Sequence, residues 1–311
     1  VRVLVTDPVH EDGIRMLVNE GFHVDLKYGI GHEALKSIIG SYDVLIVRSR
    51  TKVTREVIYN ASKLKVIGRA GVGLDNIDLK AAKERGIKVL STPEAPSVAV
   101  AELVFGLILA LARRITICDR GLKEGKWLKH EAMGFELKGK TLGIIGLGRI
   151  GREVAVRARA FGMNVIYYDI YRPPPEVEEK LGVKFMEFRE LLSKSDIITI
   201  HVPLTPETRH MIGEREFSIM KSSAILVNTS RGAVVDTKAL LNALKNGRIA
   251  GACLDVYEHE PPRESWEIEL IKLPNVVATP HIGAMTIEAQ RTASTLLAEK
   301  IINYFREMHH N

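Results

Sequence analysis

Apolar positions in residues 1–91 fall into short β-branched runs separated by stretches with helical spacing. The runs predict strands at 1–6, 22–26, 44–47, 64–67 and 87–90. Between them the spacing predicts helices near 11–20, 31–39, 54–61 and 78–85. Gly21, Gly40 and Gly86 close several of these, since glycine tolerates the left-handed backbone that ends a helix. A second series of strands follows at 141–145, 164–168, 197–200, 224–227, 251–254 and 276–278, again with helical segments between. Parallel neighbours need a crossover helix, so this alternation reads as βαβ units. The expected fold class is α/β, with two doubly wound parallel-sheet domains. No eightfold repeat supports a barrel.

One helical pattern, 97–117, interrupts the alternation. Pro96 precedes Ser97, the expected N-cap, and Val98, Ala101, Val104, Phe105, Ile108, Leu109 and Ala112 are apolar nearly all round. Such a helix is buried on more than one side, as a spine between domains or as part of a subunit interface. A second long helix is predicted at 287–306. Pro173-Pro174-Pro175 reads as a short stiff turn, and the terminal His309-His310 pair is expected to fray without binding metal.

Composition narrows the picture. With 311 residues, 46% hydrophobic and 26% charged, the chain has the balance of a soluble globular protein of about two domains, not a disordered one. The longest apolar run, residues 103–112, is too short for a bilayer, which needs roughly 20. The opening VRVLVT has no basic and apolar leader pattern, so no signal peptide is expected. Cys118 and Cys253 lie in apolar stretches and read as buried thiols of a reducing, cytoplasmic setting. The net charge of +6 could suggest a nucleic-acid partner. However, residues 113–159 hold twelve Lys/Arg against five Asp/Glu, more than the whole surplus. The basicity is local, so it reads as solvated surface or as a site for a small anion.

The sharpest motif is Gly146-Leu147-Gly148-Arg149-Ile150-Gly151, placed between a predicted strand and a predicted helix. The first glycine permits the turn, the second lets a pyrophosphate approach, and the third lets helix pack on strand. Helix N–H groups then meet the phosphate oxygens. Asp169 ends the next strand, 23 residues after Gly146, where a carboxylate receives ribose hydroxyls and repels a 2′-phosphate. NAD is therefore the expected cofactor, with Arg172 close enough to soften that preference.

In such folds the reacting groups lie beyond the carboxyl ends of the strands. There the sequence offers His201-Val202-Pro203, Asn228-Thr229-Ser230-Arg231-Gly232, Asp255 to Pro261, and Thr279-Pro280-His281-Ile282-Gly283. Moving a hydride from a hydroxyl-bearing carbon beside a carboxylate needs a cation for the carboxylate and a base for the hydroxyl. Arg231 suits the first through its planar fork. A histidine suits the second. Three histidines compete for this role: His281, between Pro280 and Gly283, is the expected base, while His201 reads instead as a packed strand-end residue and His259 as a solvated loop residue. A carboxylate beside the base would stabilise its charged form. Glu260 is a candidate, or else a solvated loop charge.

By GLGRIG, NTSRG, LDVYEHEP and TPHIGA the chain resembles the D-isomer-specific 2-hydroxyacid dehydrogenase family. VRSRTKVT, VIGRAGVGLDNIDLKAA and LKEGKWLKHEAMGFELKGKT extend the resemblance, toward the branch acting on 3-phosphoglycerate. The resemblance implies a flavodoxin-like substrate domain of residues 1–96 plus 285–311 and an inserted Rossmann NAD-binding domain of residues 97–284. It implies Arg231 as carboxylate anchor, His281 as acid/base and Glu260 as its partner. NAD contacts are implied for Gly146, Gly148, Arg149, Ile150, Gly151, Asp169, Val202, Pro203, Thr208, Thr229, Ser230, Arg231, Asp255, His281, Gly283 and Ala284. Substrate contacts are implied for Arg48, Ser49, Val72 and Gly73, and a homodimer for the 97–140 region. The expected partner is thus a small anionic 2-hydroxy acid, with no nucleic acid, membrane or metal. Two features depart from the family pattern: Glu94-Ala95-Pro96-Ser97 stands where an Asn-containing stretch is common, and with Asn311 just after the predicted last helix no serine-sensing module is expected. Glyoxylate or hydroxypyruvate reduction is the nearest rival activity, and a nonenzymatic NADH sensor the rival of another class.

Overall fold

The protein is described here by a computed structural model covering residues 1–310, with side chains through Met308. The expectation for the His309 and His310 side chains lies outside the described residues. Two units form: Val1–Ser97 with Ala284–Asn311, and Val98–Gly283.

In the first unit, β1 (Arg2–Val5), β2 (His23–Leu26), β3 (Val44–Val47), β4 (Val66–Arg69) and β5 (Lys88–Ser91) form a parallel sheet in the order β2-β1-β3-β4-β5. Helices α1 (Glu11–Asn19), α2 (His32–Ile38), α3 (Arg55–Asn60) and α4 (Leu79–Glu84) make the crossovers. This strand order is that of flavodoxin-like sheets. Strand β3 is buried at every position, as expected for a central parallel strand covered on both faces.

The second unit begins at Val98, within α5 (Ser97–Ala112), and continues with α6 (Ile115–Lys123). The single helix expected over 97–117 is therefore two. Arg114 adopts a left-handed φ of 54°, the Phe135 N–H takes the Ala112 carbonyl, and Arg114 Nη1 takes the Glu131 carbonyl. The returning 131–135 segment thus satisfies the orphan carbonyls that end a helix. Ser97 does not act as the expected cap: it is the first helical residue, and its buried hydroxyl has no hydrogen-bond partner. Helix α5 does bury several sides, placing Ala101, Val104, Phe105, Leu107 and Ile108 in the core of this unit.

Next come β6 (Thr141–Ile145), α7 (Arg149–Ala160), β7 (Asn164–Tyr168), α8 (Pro175–Leu181), β8 (Val183–Phe185), α9 (Phe188–Lys194) and β9 (Ile197–Ile200). The unit continues with α10 (Glu214–Ile219), β10 (Ile225–Asn228), α11 (Thr237–Lys245), β11 (Gly251–Leu254), α12 (Ser265–Ile271) and β12 (Val276–Ala278). The seven strands are parallel in the order β12-β11-β10-β9-β6-β7-β8, a Rossmann sheet. Strand β8 has no counterpart in the sequence reading. It is a three-residue edge strand that starts directly after the left-handed Gly182 closing α8. Pro175 of the proline triplet is itself the first residue of α8, where its missing N–H costs nothing.

The chain then returns to the first unit as α13 (Ile287–His310). Leu297 and Ile301 pack on β4 where Gly68 has no side chain; a Cβ there would lie 3.2 Å from both. Among the described residues no helix is long and apolar enough to cross a membrane. Both cysteines are free, Cys253 buried as expected but Cys118 only half-buried, because it sits on the amphipathic α6.

Candidate active site

The strand order of the second unit reverses between β6 and β9, and the glycine turn leaves β6 at that switch point. Gly146 has φ +96°, and a Cβ there would lie 2.8 Å from the His201 carbonyl, so only glycine fits. A Cβ on Gly148 would meet nothing within 4 Å, and no side chain caps α7 there. A Cβ on Gly151 would lie 2.2 Å from the Gly146 carbonyl, the close packing that the third glycine allows. Arg149 and Ile150 open α7. The Asp169 carboxylate accepts from the Leu147 N–H at 2.7 Å and the Tyr171 N–H at 3.0 Å, which fixes it beside the turn. With about four lone-pair sites, it keeps capacity for a ribose diol. Arg172 does not lean toward Asp169; its guanidinium is bound to Glu178 at 2.8 and 3.1 Å.

After β9, the Thr208 hydroxyl donates to the Pro203 carbonyl at 2.6 Å and fixes the loop after Val202. After β10, Asn228 Oδ1 accepts from the Ser230 N–H and hydroxyl, and Asn228 Nδ2 donates to the Arg231 carbonyl. Arg231 Nη1 donates to the Ser230 carbonyl at 2.7 Å. Thr229 Oγ1 is buried with no protein partner, the orphaned polar atom expected where a ligand completes the bonding. Together with the left-handed Gly146 and the open face of Gly148, it makes these residues fit a dinucleotide.

Three buried or half-buried carboxylates then organise the remaining loops. Asp255, 1% exposed, accepts from the Thr279 hydroxyl (2.6 Å), the Ile282 N–H (2.8 Å) and the Gly283 N–H (2.8 Å). These bonds hold the turn in which His281 takes a left-handed φ of 53°, a conformation costly for a residue with a Cβ. His281 Nδ1 lies 2.6 Å from Glu260 Oε2, and both side chains stay about two-fifths exposed (42% and 38%). Glu258 accepts from the Thr237 N–H at 3.1 Å and meets His210 Nε2 at 3.3 Å.

The third carboxylate, Glu267, had no signal in the sequence pattern. It is 1% exposed and accepts from the backbone N–H groups of His259, Arg263 and Glu264 and meets His259 Nδ1. Burial alone would raise its pKa, but the N–H groups of Glu264, Arg263 and His259 outweigh this and lower it. His259 is therefore not a solvated loop residue but half of an internal clamp on the segment that carries Glu260. His201 is equally withdrawn: Nε2 pairs with Thr199 Oγ1 at 2.9 Å, Nδ1 is buried without a partner, and burial pushes the ring down to about 3.

In the first unit the strand order reverses between β1 and β3. Asp7, just past β1 and 1% exposed, accepts from the Arg48 N–H, the Thr51 N–H and the Thr51 hydroxyl. Asn76 Nδ2 donates to the Arg48 and Thr51 carbonyls. These bonds shape the loop bearing Arg48 and Ser49. Arg48 Nη2 meets Met285 Sδ at 3.4 Å, and burial pulls the guanidinium below its usual range while Asp7 opposes that. Val72 is exposed beside Gly73, after Gly71 with φ +150°. The Ala284 carbonyl accepts from Gln290 Nε2.

A glycine turn at a Rossmann switch point, with a histidine–carboxylate pair on neighbouring strand ends, defines the second unit as a dinucleotide-binding domain of the dehydrogenase type. Residues 105–283 match the D-isomer specific 2-hydroxyacid dehydrogenase, NAD binding domain, and the chain belongs to that family. It is 53% identical over 307 residues to D-3-phosphoglycerate dehydrogenase of Methanocaldococcus jannaschii, covering 98% of this chain and 58% of that protein. It is 48% identical to hydroxypyruvate reductase of Thermotoga maritima, covering 99% of this chain and 98% of that one. D-lactate dehydrogenase from Aquifex aeolicus, solved with NAD and lactic acid, superposes with a TM-score of 0.87 at 31% identity, covering 99% of this chain and 96% of that one. The chain thus spans little more than half the length of the phosphoglycerate dehydrogenases it matches. NAD is the cofactor of the family domain.

Proposed function

We propose that the chain oxidises D-3-phosphoglycerate to 3-phosphohydroxypyruvate, the opening step of a phosphorylated route to serine. The observation that carries the reading is the 2.6 Å contact between His281 Nδ1 and Glu260 Oε2, which leaves the other ring nitrogen to serve a substrate hydroxyl. NAD, when bound, supplies the acceptor for the C2 hydride. His281 takes the hydroxyl proton, and Glu260 stabilises the charged ring that results. Arg231 is assigned to the carboxylate, and the Val72-Gly73 backbone is assigned a substrate contact. Arg48 takes the phosphate, with Arg50 or Arg69 nearby and Ser49 beside it. Its support is a half-buried guanidinium that touches the Met285 thioether, a cation that gains from an anion.

The NAD contacts are assigned to Gly146, Gly148, Arg149, Ile150, Gly151, Asp169, Val202, Pro203, Thr208, Thr229, Ser230, Arg231, Asp255, His281, Gly283 and Ala284. Asp255 would act mostly through the turn it holds, because its carboxylate is already engaged. The 97–140 region is assigned to a homodimer contact, supported by the exposed Leu122, Trp127 and Met133 side chains. Light scattering that finds only monomer at working concentration would remove that assignment.

A second reading, reduction of hydroxypyruvate or glyoxylate, is favoured by the 48% identity to the Thermotoga enzyme along nearly its whole length. The deciding experiment follows NADH formation with 3-phosphoglycerate beside glycerate, and with Arg48→Ala. The first reading expects the phosphorylated acid to give the higher kcat/KM, and Arg48→Ala to hurt it far more than glycerate. Equal losses on both substrates would exclude a phosphate role for Arg48.

A further inference from the structure

Arg172 follows Asp169 by three residues, and the structure shows its guanidinium committed to other partners. Its Nε and Nη2 are bound to the two oxygens of Glu178 at 2.8 and 3.1 Å, a bidentate pair. Its guanidinium carbon also lies 5.1 Å from the centre of the Phe185 ring. Glu178 is itself fixed: only 14% of its side chain is exposed, and the Tyr167 hydroxyl donates to its Oε1 at 2.5 Å. Tyr167 is fully buried in β7, so the acceptor that holds Arg172 is anchored to the sheet rather than to a mobile side chain.

We propose that Glu178 is a specificity-determining residue, which discriminates against a 2′-phosphorylated dinucleotide by holding Arg172 away from the ribose. The inference rests on the assignment of the adenosine ribose to Asp169. Two opposed charges are close in sequence there, Asp169 and, three residues later, Arg172. The Asp169 carboxylate repels a 2′-phosphate, and a free Arg172 would attract one. Glu178 cancels the second influence, so the rejection by Asp169 acts unopposed. A dinucleotide without the extra phosphate makes no demand on Arg172 and is indifferent to the latch.

The test titrates NADH, NADPH and 2′,5′-ADP by nucleotide fluorescence and by competition, so the readout is affinity and not turnover. Glu178→Ala is expected to leave NADH affinity near its starting value and to tighten NADPH and 2′,5′-ADP roughly tenfold or more, the scale of one charge-assisted hydrogen bond. Adding Arg172→Ala to that variant must abolish the gain. Glu178→Gln, which keeps the packing, should give the same direction and serves where the alanine variant does not fold. Tyr167→Phe removes one support of Glu178 but leaves the bidentate pair, and it should leave the NADPH-to-NADH ratio unchanged. An unchanged ratio in folded Glu178→Ala or Glu178→Gln, or a gain that survives loss of Arg172, overturns the latch. Asp169→Ala separates the two ideas: if NADH affinity is unaffected there, the ribose assignment itself fails. If NADH weakens there while the Glu178 variants keep the parent ratio, only the latch fails.

Discussion

Two histidine–glutamate pairs lie within 25 residues of each other in the second unit, and they have opposite environments. His281 and Glu260 meet at 2.6 Å with both side chains partly open to water. His259 and Glu267 meet at 3.1 Å with the glutamate sealed from solvent. The first carboxylate spends one oxygen on the imidazole and the other on the Tyr257 N–H at 3.2 Å. The second accepts three backbone N–H groups besides its histidine. The same functional groups therefore serve two ends. An open pair can exchange a proton with a ligand, whereas a pair saturated with backbone donors fixes a loop.

The largest effect that sharpens this contrast is expected from His281→Ala. Its kcat/KM should fall by about 10²–10⁴-fold, the usual contribution of a positioned acid/base, with little change in thermal stability. Near-normal turnover would place the base elsewhere. His259→Ala should show the converse, a lower melting temperature with kcat/KM changed only a few-fold. A catalytic loss matching that of His281→Ala would break the comparison.

A smaller effect is expected from Glu267→Gln, which leaves a buried acceptor site poorly matched to its donors. Unfolding in urea should show about 1–3 kcal/mol of lost stability at neutral pH. Because the folded carboxyl lies below its ordinary 4.5, its stabilisation is complete above that pH and is lost as pH falls through the folded value. The wild type should therefore lose stability below pH 4.5, and the variant should lose less. An identical acid profile for both proteins would argue that Glu267 is not ionised in the fold.

At neutral pH the smallest expected effect concerns His201, a histidine of neither pair. Its ring stays neutral down to about 3, while an unfolded chain protonates near 6.5. Between those values the unfolded state holds more protons, so stability rises with pH, by at most about 1.4 kcal/mol per unit. His201→Asn should flatten the curve in that window. An unchanged slope between pH 4 and 6 would mean that water reaches the ring.

The sequence carries the two sheets and the glycine turn because both are local: β-branched runs, helix-capping glycines and a six-residue motif each reveal themselves within a short window. Arg231 and His281 stand out as candidates for a related reason, since each lies within four residues of a predicted strand end, whereas Glu260 is singled out by the family resemblance. What the sequence hides depends on partners distant along the chain. Asp7 acts on Arg48 and Thr51, more than 40 residues away, and Asp255 acts on the turn at 282–283. Glu267 lies on an ordinary-looking helix, where nothing in the spacing marks it as the one glutamate turned inward. The break between α5 and α6 is hidden likewise, because the segment that takes the Ala112 carbonyl arrives 23 residues later. The sequence likewise shows that Arg172 is near Asp169 but not the competing pull of Glu178.

Gly232 gives the contrast between chemical and geometric control a direct handle. A Cβ at this position would lie 1.9 Å from the Tyr257 carbonyl carbon and 2.4 Å from the Glu258 nitrogen. The backbone after Arg231 and the backbone leading to Glu260 therefore touch with no side chain between them. A single methyl at this point acts as a spacer: it would push the backbone beside Arg231 and the backbone leading to Glu260 apart while leaving both side chains intact.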